Sequence, residues 1–148
     1  MARPKPPAPT ASSPDDIELE FYDAMRRGDV DRLMELWSDD DEICCVHPGG
    51  ERLLGASAIR ASFEAIFGNG AIDAEPQRVH RLESHSSALH SVVERIRVAT
   101  AEGERFAWVV ATNVYLKSSR GWRIVAHHAS PGSDEAAVES AEAASTLH

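Results

Sequence analysis

Residues 104–117, ERFAWVVATNVYLK, decide the fold because apolar side chains fill both alternating positions of a strand. The larger side chains share one phase: Phe106, Trp108, Val110, Val114 and Leu116. The other phase holds Ala107, Val109, Ala111 and Tyr115. A sheet with water on one face alternates apolar with polar residues, and this strand does not. We therefore predict that helices cover one face and a second copy of the chain covers the other, which makes the protein a homodimer built sheet against sheet. The terminal segments are the alternative cover, but they carry few large apolar groups.

The flanking sequence has the same period of two from Ala71 onward. It predicts strands over residues 73–83, 87–99, 104–117 and 121–130, joined by short turns. These strands follow one another closely in the chain, so we expect an antiparallel meander.

The sequence before Ala71 has helical spacing instead. Ile17, Phe21 and Met25 form one apolar stripe in a helix that begins after Ser13 and ends at Gly28. A second helix follows from Asp29 to about residue 37, and a third covers residues 57–67. A short strand over residues 43–46 lies between them and is broken by residues 47–50, HPGG. Helices first and a meander afterwards predict an α+β domain with the helices on one sheet face.

Composition limits the domain organisation and the class of partner. Residues 1–13 are rich in proline and predict a disordered arm, residues 14–131 hold the domain, and residues 132–148 form an acidic, alanine-rich tail. The 148 residues carry a formal net charge of -9, which opposes binding to nucleic acid or to anionic membranes. Two cysteines and no apolar run of membrane-spanning length favour a cytoplasmic protein.

Three stretches of the chain resemble a known superfamily. They are residues 27–31 (RGDVD), residues 48–60 (PGGERLLGASAIR) and residues 121–130 (GWRIVAHHAS). With these three stretches in this order, the chain resembles the nuclear transport factor two-like superfamily. That superfamily includes the SnoaL-like proteins, ketosteroid isomerase and the association domain of calcium/calmodulin-dependent kinase. The resemblance implies a cone: a curved antiparallel sheet of four long strands and one short strand, wrapped around three N-terminal helices. It also implies a pocket at the wide end, but this fold hosts many functions.

The isomerase residues are not preserved. That chemistry uses a carboxylate base and an oxyanion hole of a tyrosine and a protonated aspartic acid. By resemblance the base position is His47, the tyrosine position is Phe21 beside Tyr22, and the acid position is Asn113 or Thr112. Steroid isomerisation by that mechanism is therefore not expected.

The changed residues still predict acid–base chemistry. His47 would lie at a strand end near the pocket mouth, and imidazole is the usual general base near neutral pH. Asn113 and Tyr115 could donate hydrogen bonds to a developing oxyanion. One of His127 and His128 must point inward, and strand alternation favours His128 unless a bulge exchanges the two.

The predicted pocket is mostly apolar and would bind a small apolar or weakly polar molecule. Its ligand-contacting residues are predicted to be Phe21, Tyr22, Trp37, Phe63 and His127. The expected activity is cofactor-free isomerisation, dehydration or cyclisation of a small organic substrate. The alternatives are a noncatalytic ligand carrier and an oligomerisation module like the kinase association domain.

No metal site is predicted, because the histidines have no carboxylate or cysteine at ligand spacing. Glu83 and Glu94 lie on predicted strands, and the sequence favours surface positions for both. Cys44 and Cys45 are adjacent on a strand and point to opposite faces, so we expect two buried free thiols rather than a disulfide.

Overall fold

The computed structural model describes residues 13–133. The arm and the tail predicted at the two ends lie, apart from residues 13, 132 and 133, outside the described residues. Three helices and six strands follow in this order: α1 Pro14–Arg27, α2 Val30–Glu35, β1 Cys44–Val46, β2 Arg52–Leu54, α3 Ala56–Gly68, β3 Ala74–Glu83, β4 Ser87–Thr100, β5 Gly103–Ser118 and β6 Gly121–Pro131.

Helix α1 begins and ends at the residues that its sequence predicts. The Ser13 side chain accepts a hydrogen bond from the backbone N–H of Asp16 at 3.2 Å. Gly28 ends the helix in the left-handed conformation, with φ +64°, which costs a residue with a side chain more than it costs glycine. The apolar stripe of the helix is buried against the sheet, with Ile17 and Phe21 almost fully covered.

The six strands form one sheet in the order β2-β1-β6-β5-β4-β3. Neighbouring strands are antiparallel except β1 and β6, which are parallel. The α+β prediction is confirmed, and each of the four long strands matches its predicted range to within one residue at either end. The prediction of a single short strand was incomplete, since β2 pairs with β1. Three residues are too few to show an alternating pattern, and Arg52 and Leu54 are both exposed.

A bulge near the turn between β5 and β6 changes which side chains face the helices. Val114 pairs with Ala126, but the next residue, Tyr115, pairs with Ile124, so Val125 is the extra residue. The bulge moves the following part of β6 by one position. As a result His127 is buried and His128 is exposed.

The two sheet faces differ in what covers them. Helices pack on the face that carries Tyr115 and Asn113, both of which are buried. The opposite face, which we call the outer sheet face, carries the larger side chains of β5. Phe106 and Leu116 on it are each 46% exposed in the single chain. Among the described residues, the helices are too short or too polar to span a membrane.

Candidate functional site

The interior between helices and sheet is mostly apolar, but it contains a group of buried polar residues. Five polar residues there have at most 4% of their surface exposed: Glu18, His90, Glu94, Asn113 and His127. Such groups are costly to bury unless they are hydrogen-bonded. They satisfy this requirement in two hydrogen-bonded chains that also include the buried residues Tyr22 and Tyr115.

The first chain runs from Glu94 to His127 and joins α1 to three strands. The Tyr22 hydroxyl donates to the Glu94 carboxyl at 2.6 Å and accepts from the Asn113 amide nitrogen at 3.2 Å. The Asn113 side-chain oxygen lies 2.5 Å from Nδ1 of His127. Because that oxygen can only accept, Nδ1 of His127 carries the proton and Nε2 keeps its lone pair.

Burial changes the proton affinities along this chain. It raises the pKa of Glu94 to about 7; the Tyr22 hydrogen bond opposes this change, and the charge of Glu18 adds to it. It also raises the pKa of Tyr22 well above its ordinary value. Burial, together with repulsion from His47 and His128, lowers the pKa of His127 to about 3. His127 is therefore a neutral imidazole near pH 7.

His47 follows β1 and is half-buried. Its Nε2 lies 2.9 Å from the Ser62 hydroxyl, and that hydroxyl donates its own proton to the Ile59 carbonyl at 2.6 Å. Nε2 of His47 must therefore be the donor, which leaves the lone pair on Nδ1. Burial lowers the pKa of His47, so this imidazole is also neutral near pH 7.

The two neutral imidazoles share one environment. Cys45 pairs with His127 across the parallel strands β1 and β6, and the Sγ of Cys45 lies 3.9 Å from Nε2 of His47. The His47 ring is 4.9 Å from the ring of Phe63, and the His127 ring is 5.2 Å from that of Phe21. Those two phenylalanines contact each other edge to face at 6.3 Å.

The second chain centres on Glu18. Its Oε2 accepts from the Tyr115 hydroxyl and from Nδ1 of His90, both at 2.7 Å. Nε2 of His90 faces Glu83 at 3.4 Å and Asp15 at 3.9 Å. Burial alone would lower the pKa of His90, but the hydrogen bond and charge of Glu18 outweigh it and raise the pKa.

Three residues at the outer end of this second chain form the group within residues 13–133 whose side chains could together hold a metal ion. Asp15, Glu83 and His90 offer three ligand atoms within 4.8 Å of one another. Arg81 already donates to Asp15 at 2.7 Å, and the raised pKa of His90 favours its imidazolium form. The positive charges of Arg81 and His90 balance the carboxylates of Asp15 and Glu83, so an ion-pair network explains this group without a metal ion.

The structure brings together six of the predicted site residues: Phe21, Tyr22, His47, Phe63, Asn113 and His127. Tyr115 lies beside them, but its hydroxyl is held by Glu18. The preference for His128 over His127 was wrong, because the bulge at Val125 turns His128 outward. Trp37 lines a separate cleft at the end of α2.

Sequence reasoning missed two buried residues of the network, Glu18 and His90. The surface position favoured for Glu94 was wrong, since only 4% of it is exposed; Glu83 is exposed as expected. A signal was present, because His90 and Glu94 share the inward phase of β4 with Ala88 and Val92. Polar residues in an apolar phase indicate buried partners on a facing element.

Three helices on one face of a six-stranded sheet, with a hydrogen-bonded polar group buried between them, are the features to compare with known proteins. Residues 16–134 match the model of the SnoaL-like domain family. The chain belongs to this family.

Solved structures agree with that membership. A candidate calcium/calmodulin-dependent protein kinase type II association domain from Thiobacillus denitrificans is 31% identical, with a TM-score of 0.77; the match covers 85% of this chain and 100% of that one. A candidate dehydratase of the NTF2-like family from Streptomyces avermitilis is 30% identical over 78% of this chain and 91% of that one, with a TM-score of 0.71. An uncharacterised cystatin-like protein from Caulobacter vibrioides is 18% identical over 84% of this chain and 91% of that one, with a TM-score of 0.71, which shows the fold alone. No curated protein matches the chain.

Proposed function

We propose that this protein is a cofactor-free acid–base enzyme that dehydrates or isomerises a small carbonyl compound. One observation carries the proposal: two neutral imidazoles on one sheet face each have one nitrogen fixed by a hydrogen bond, and within residues 13–133 the other nitrogen has no hydrogen-bond partner. The candidate dehydratase from Streptomyces avermitilis gives the reaction class further support.

His47 is the proposed base. Its Nδ1 takes the proton from the carbon next to the substrate carbonyl, and the electron pair of that C–H bond forms the new C=C bond. In a dehydration the C–O bond to the β-hydroxyl breaks, its electron pair goes to oxygen, and the imidazolium of His47 returns the proton to release water. In an isomerisation the same proton returns to a different carbon. His47 is thus neutral before and after each turnover.

His127 is the proposed positioning acceptor for a substrate hydroxyl. Its low pKa makes it a poor base, but a neutral Nε2 accepts a hydrogen bond without being protonated. The chain of Glu94, Tyr22 and Asn113 holds this tautomer, because Asn113 offers only its oxygen to Nδ1. The roles expected for Asn113 and Tyr115 as direct donors to an oxyanion have less support, since both already donate inside the protein.

Deuterium incorporation tests the enzyme proposal. The protein is incubated in D₂O with a panel of β-hydroxy ketones and followed by ¹H NMR for loss of the proton next to the carbonyl and for alkene signals. We expect turnover by the wild type, and His47→Gln should slow it about a hundredfold or more. His128→Gln is the matched control on the outer sheet face and should keep full activity. No exchange by the wild type across the panel, or equal rates for His47→Gln, would refute the proposal.

A second function, self-association, is favoured by the outer sheet face. Phe106 and Leu116 are large, apolar and nearly half exposed there, and Val110 and Val114 lie between them. The similarity to the association domain from Thiobacillus denitrificans agrees with an assembly role. We propose a homodimer formed by this face, in a reducing cytoplasm where Cys44 and Cys45 stay free thiols.

Sedimentation equilibrium tests the dimer. The wild type should have twice the 16.1 kDa chain mass. Val110→Lys places a charge in the middle of the outer sheet face and should give monomers. Leu19→Lys, at an exposed leucine of α1, is the control and should remain dimeric. A monomeric wild type, or a dimer unchanged by Val110→Lys, would contradict the proposal.

A further inference from the structure

A second concave surface lies away from the two histidines. It is a cleft of about 310 Å³ between the end of α2, the start of α3 and the turn from β5 to β6. Six of its lining residues carry the argument: Trp37, Ser38, Ser57, Arg60, Arg120 and Arg123. We call it the arginine cleft.

The arginine cleft concentrates positive charge on a chain whose formal net charge is -9. Two carboxylates, Glu35 and Asp39, also line it, and Glu35 is held by Arg32. Arg60 pairs with Asp31 and Glu64 at the surface, and Arg120 is 3.4 Å from Asp39. Such exposed pairs contribute little and exchange readily with water, so both guanidiniums remain available to a ligand.

Arg123 is the exception among these arginines. It donates to the Trp122 carbonyl at 2.8 Å, and within residues 13–133 its guanidinium forms no ion pair with a carboxylate. Partial burial lowers its pKa, the charges of Arg120 and Arg32 lower it further, and the weaker effects of Glu20 and Asp39 oppose this change. A cation held beside two other cations favours an anion in the adjoining space.

The start of α3 adds hydrogen-bond donors on the same side. This 13-residue helix begins after Gly55, which has no side chain to cap it, and its first turn contains no acidic residue. Ala56 and Ser57 both line the cleft. The first N–H groups of a helix have no partner within it, and they attract negative charge.

Trp37 provides the independent sign that a ligand belongs here. Only 4% of Trp37 is exposed, and its Nε1 is buried without a hydrogen-bond partner among the residues that the structure describes. An indole N–H can only donate, and a buried donor left unpaired costs about 1–3 kcal/mol. Trp37 lines the arginine cleft, so the unpaired donor belongs to a residue that borders the space a ligand would occupy.

We propose that the arginine cleft binds a small organic carboxylate, with its anionic group near Arg120 and Arg123 and its apolar part against Trp37 and Met34. The volume of the cleft lies at the lower end of the range for ligand pockets, so it suits a small molecule. This inference does not depend on the proposed enzyme activity, because none of the residues assigned to that activity lines the cleft.

NMR titration tests the proposal through the Trp37 indole signal, which a Trp37→Phe spectrum identifies. Benzoate is the probe, benzamide is the neutral control of the same shape, and inorganic phosphate tests whether any anion suffices. We expect a saturable shift of the Trp37 Nε1–H resonance with benzoate and no shift with benzamide. A saturable shift with phosphate as tight as with benzoate would overturn the choice of a carboxylate with an apolar part.

Two arginine variants complete the test. Arg123→Gln and Arg120→Gln should each weaken benzoate binding about tenfold, the loss expected for one charge-assisted hydrogen bond. Arg105→Gln, at an exposed arginine paired with Glu102, is the control and should bind as the wild type does. No saturable shift with benzoate, or wild-type affinity for benzoate in both arginine variants, would overturn the proposal.

Discussion

Replacing Glu94 by glutamine should change how the stability of the protein depends on pH. Burial raises the pKa of Glu94 from 4.5 to about 7 in the folded state. An unfolded chain loses the proton at the lower value, so the contribution of Glu94 to stability is full below about pH 4.5. It is lost as pH rises through 7, because the unfolded state ionises first and the folded state does not.

The size of this effect follows from the shift in pKa. One unit corresponds to about 1.4 kcal/mol, so a shift of this size lowers the free energy of unfolding by about 3 kcal/mol at alkaline pH, with most of the loss between pH 5 and pH 8. Glu94→Gln keeps an oxygen that can accept from the Tyr22 hydroxyl, and it has no proton to lose. The free energy of unfolding of the variant, relative to that of the wild type, should therefore rise by about 2–3 kcal/mol as the pH is raised from 5 to 8.

Urea denaturation at pH 5 and pH 8 measures this difference. Glu102→Gln, whose side chain is 78% exposed, is the control and should follow the wild type at both pH values. If the stability difference between Glu94→Gln and the wild type were the same at both pH values, Glu94 would not retain a proton in the folded protein. The account of the buried hydrogen-bonded network would then be wrong.

Three further predictions follow from the same contacts. Tyr22→Phe removes the hydroxyl that joins Glu94 to Asn113 and should cost about 1–3 kcal/mol in urea denaturation, whereas an unchanged midpoint would contradict the hydrogen bonds. His127 should show no ring titration by ¹³C NMR between pH 5 and pH 8, because its pKa is about 3; a midpoint inside that interval would show that it is not buried as a neutral ring. Gly28→Ala should destabilise the protein by about 1 kcal/mol, because φ +64° strains any residue with a side chain, whereas Gly68→Ala has open space and no such strain; equal stabilities would argue against the left-handed end of α1.

The helices and long strands could be predicted because each follows a local rule. Ser13 and Gly28 mark the two ends of α1, and the alternation along β5 marks its two faces. Such signals depend only on near neighbours in the chain, so the sequence contains them in full. Strand β2 was not predicted, because three residues are too few to show an alternating pattern of apolar and polar side chains.

The candidate site was less predictable because it depends on contacts between distant elements. His127 rather than His128 faces the helices because of a bulge at Val125, and the sequence around Val125 does not predict that bulge. The neutral state of His127 needs Asn113 on β5 and Tyr22 on α1, 91 residues apart, to meet. Burial of Glu94 likewise depends on Tyr22 in the facing helix.

The most direct test of the proposed chemistry is the protonation of the two imidazole rings, measured at pH 7 by long-range ¹H–¹⁵N NMR of histidine-labelled protein. We predict that His47 carries its proton on Nε2 and His127 on Nδ1, which leaves one lone pair on each ring for a substrate. A charged ring on either residue, or a proton on Nδ1 of His47, would contradict the account.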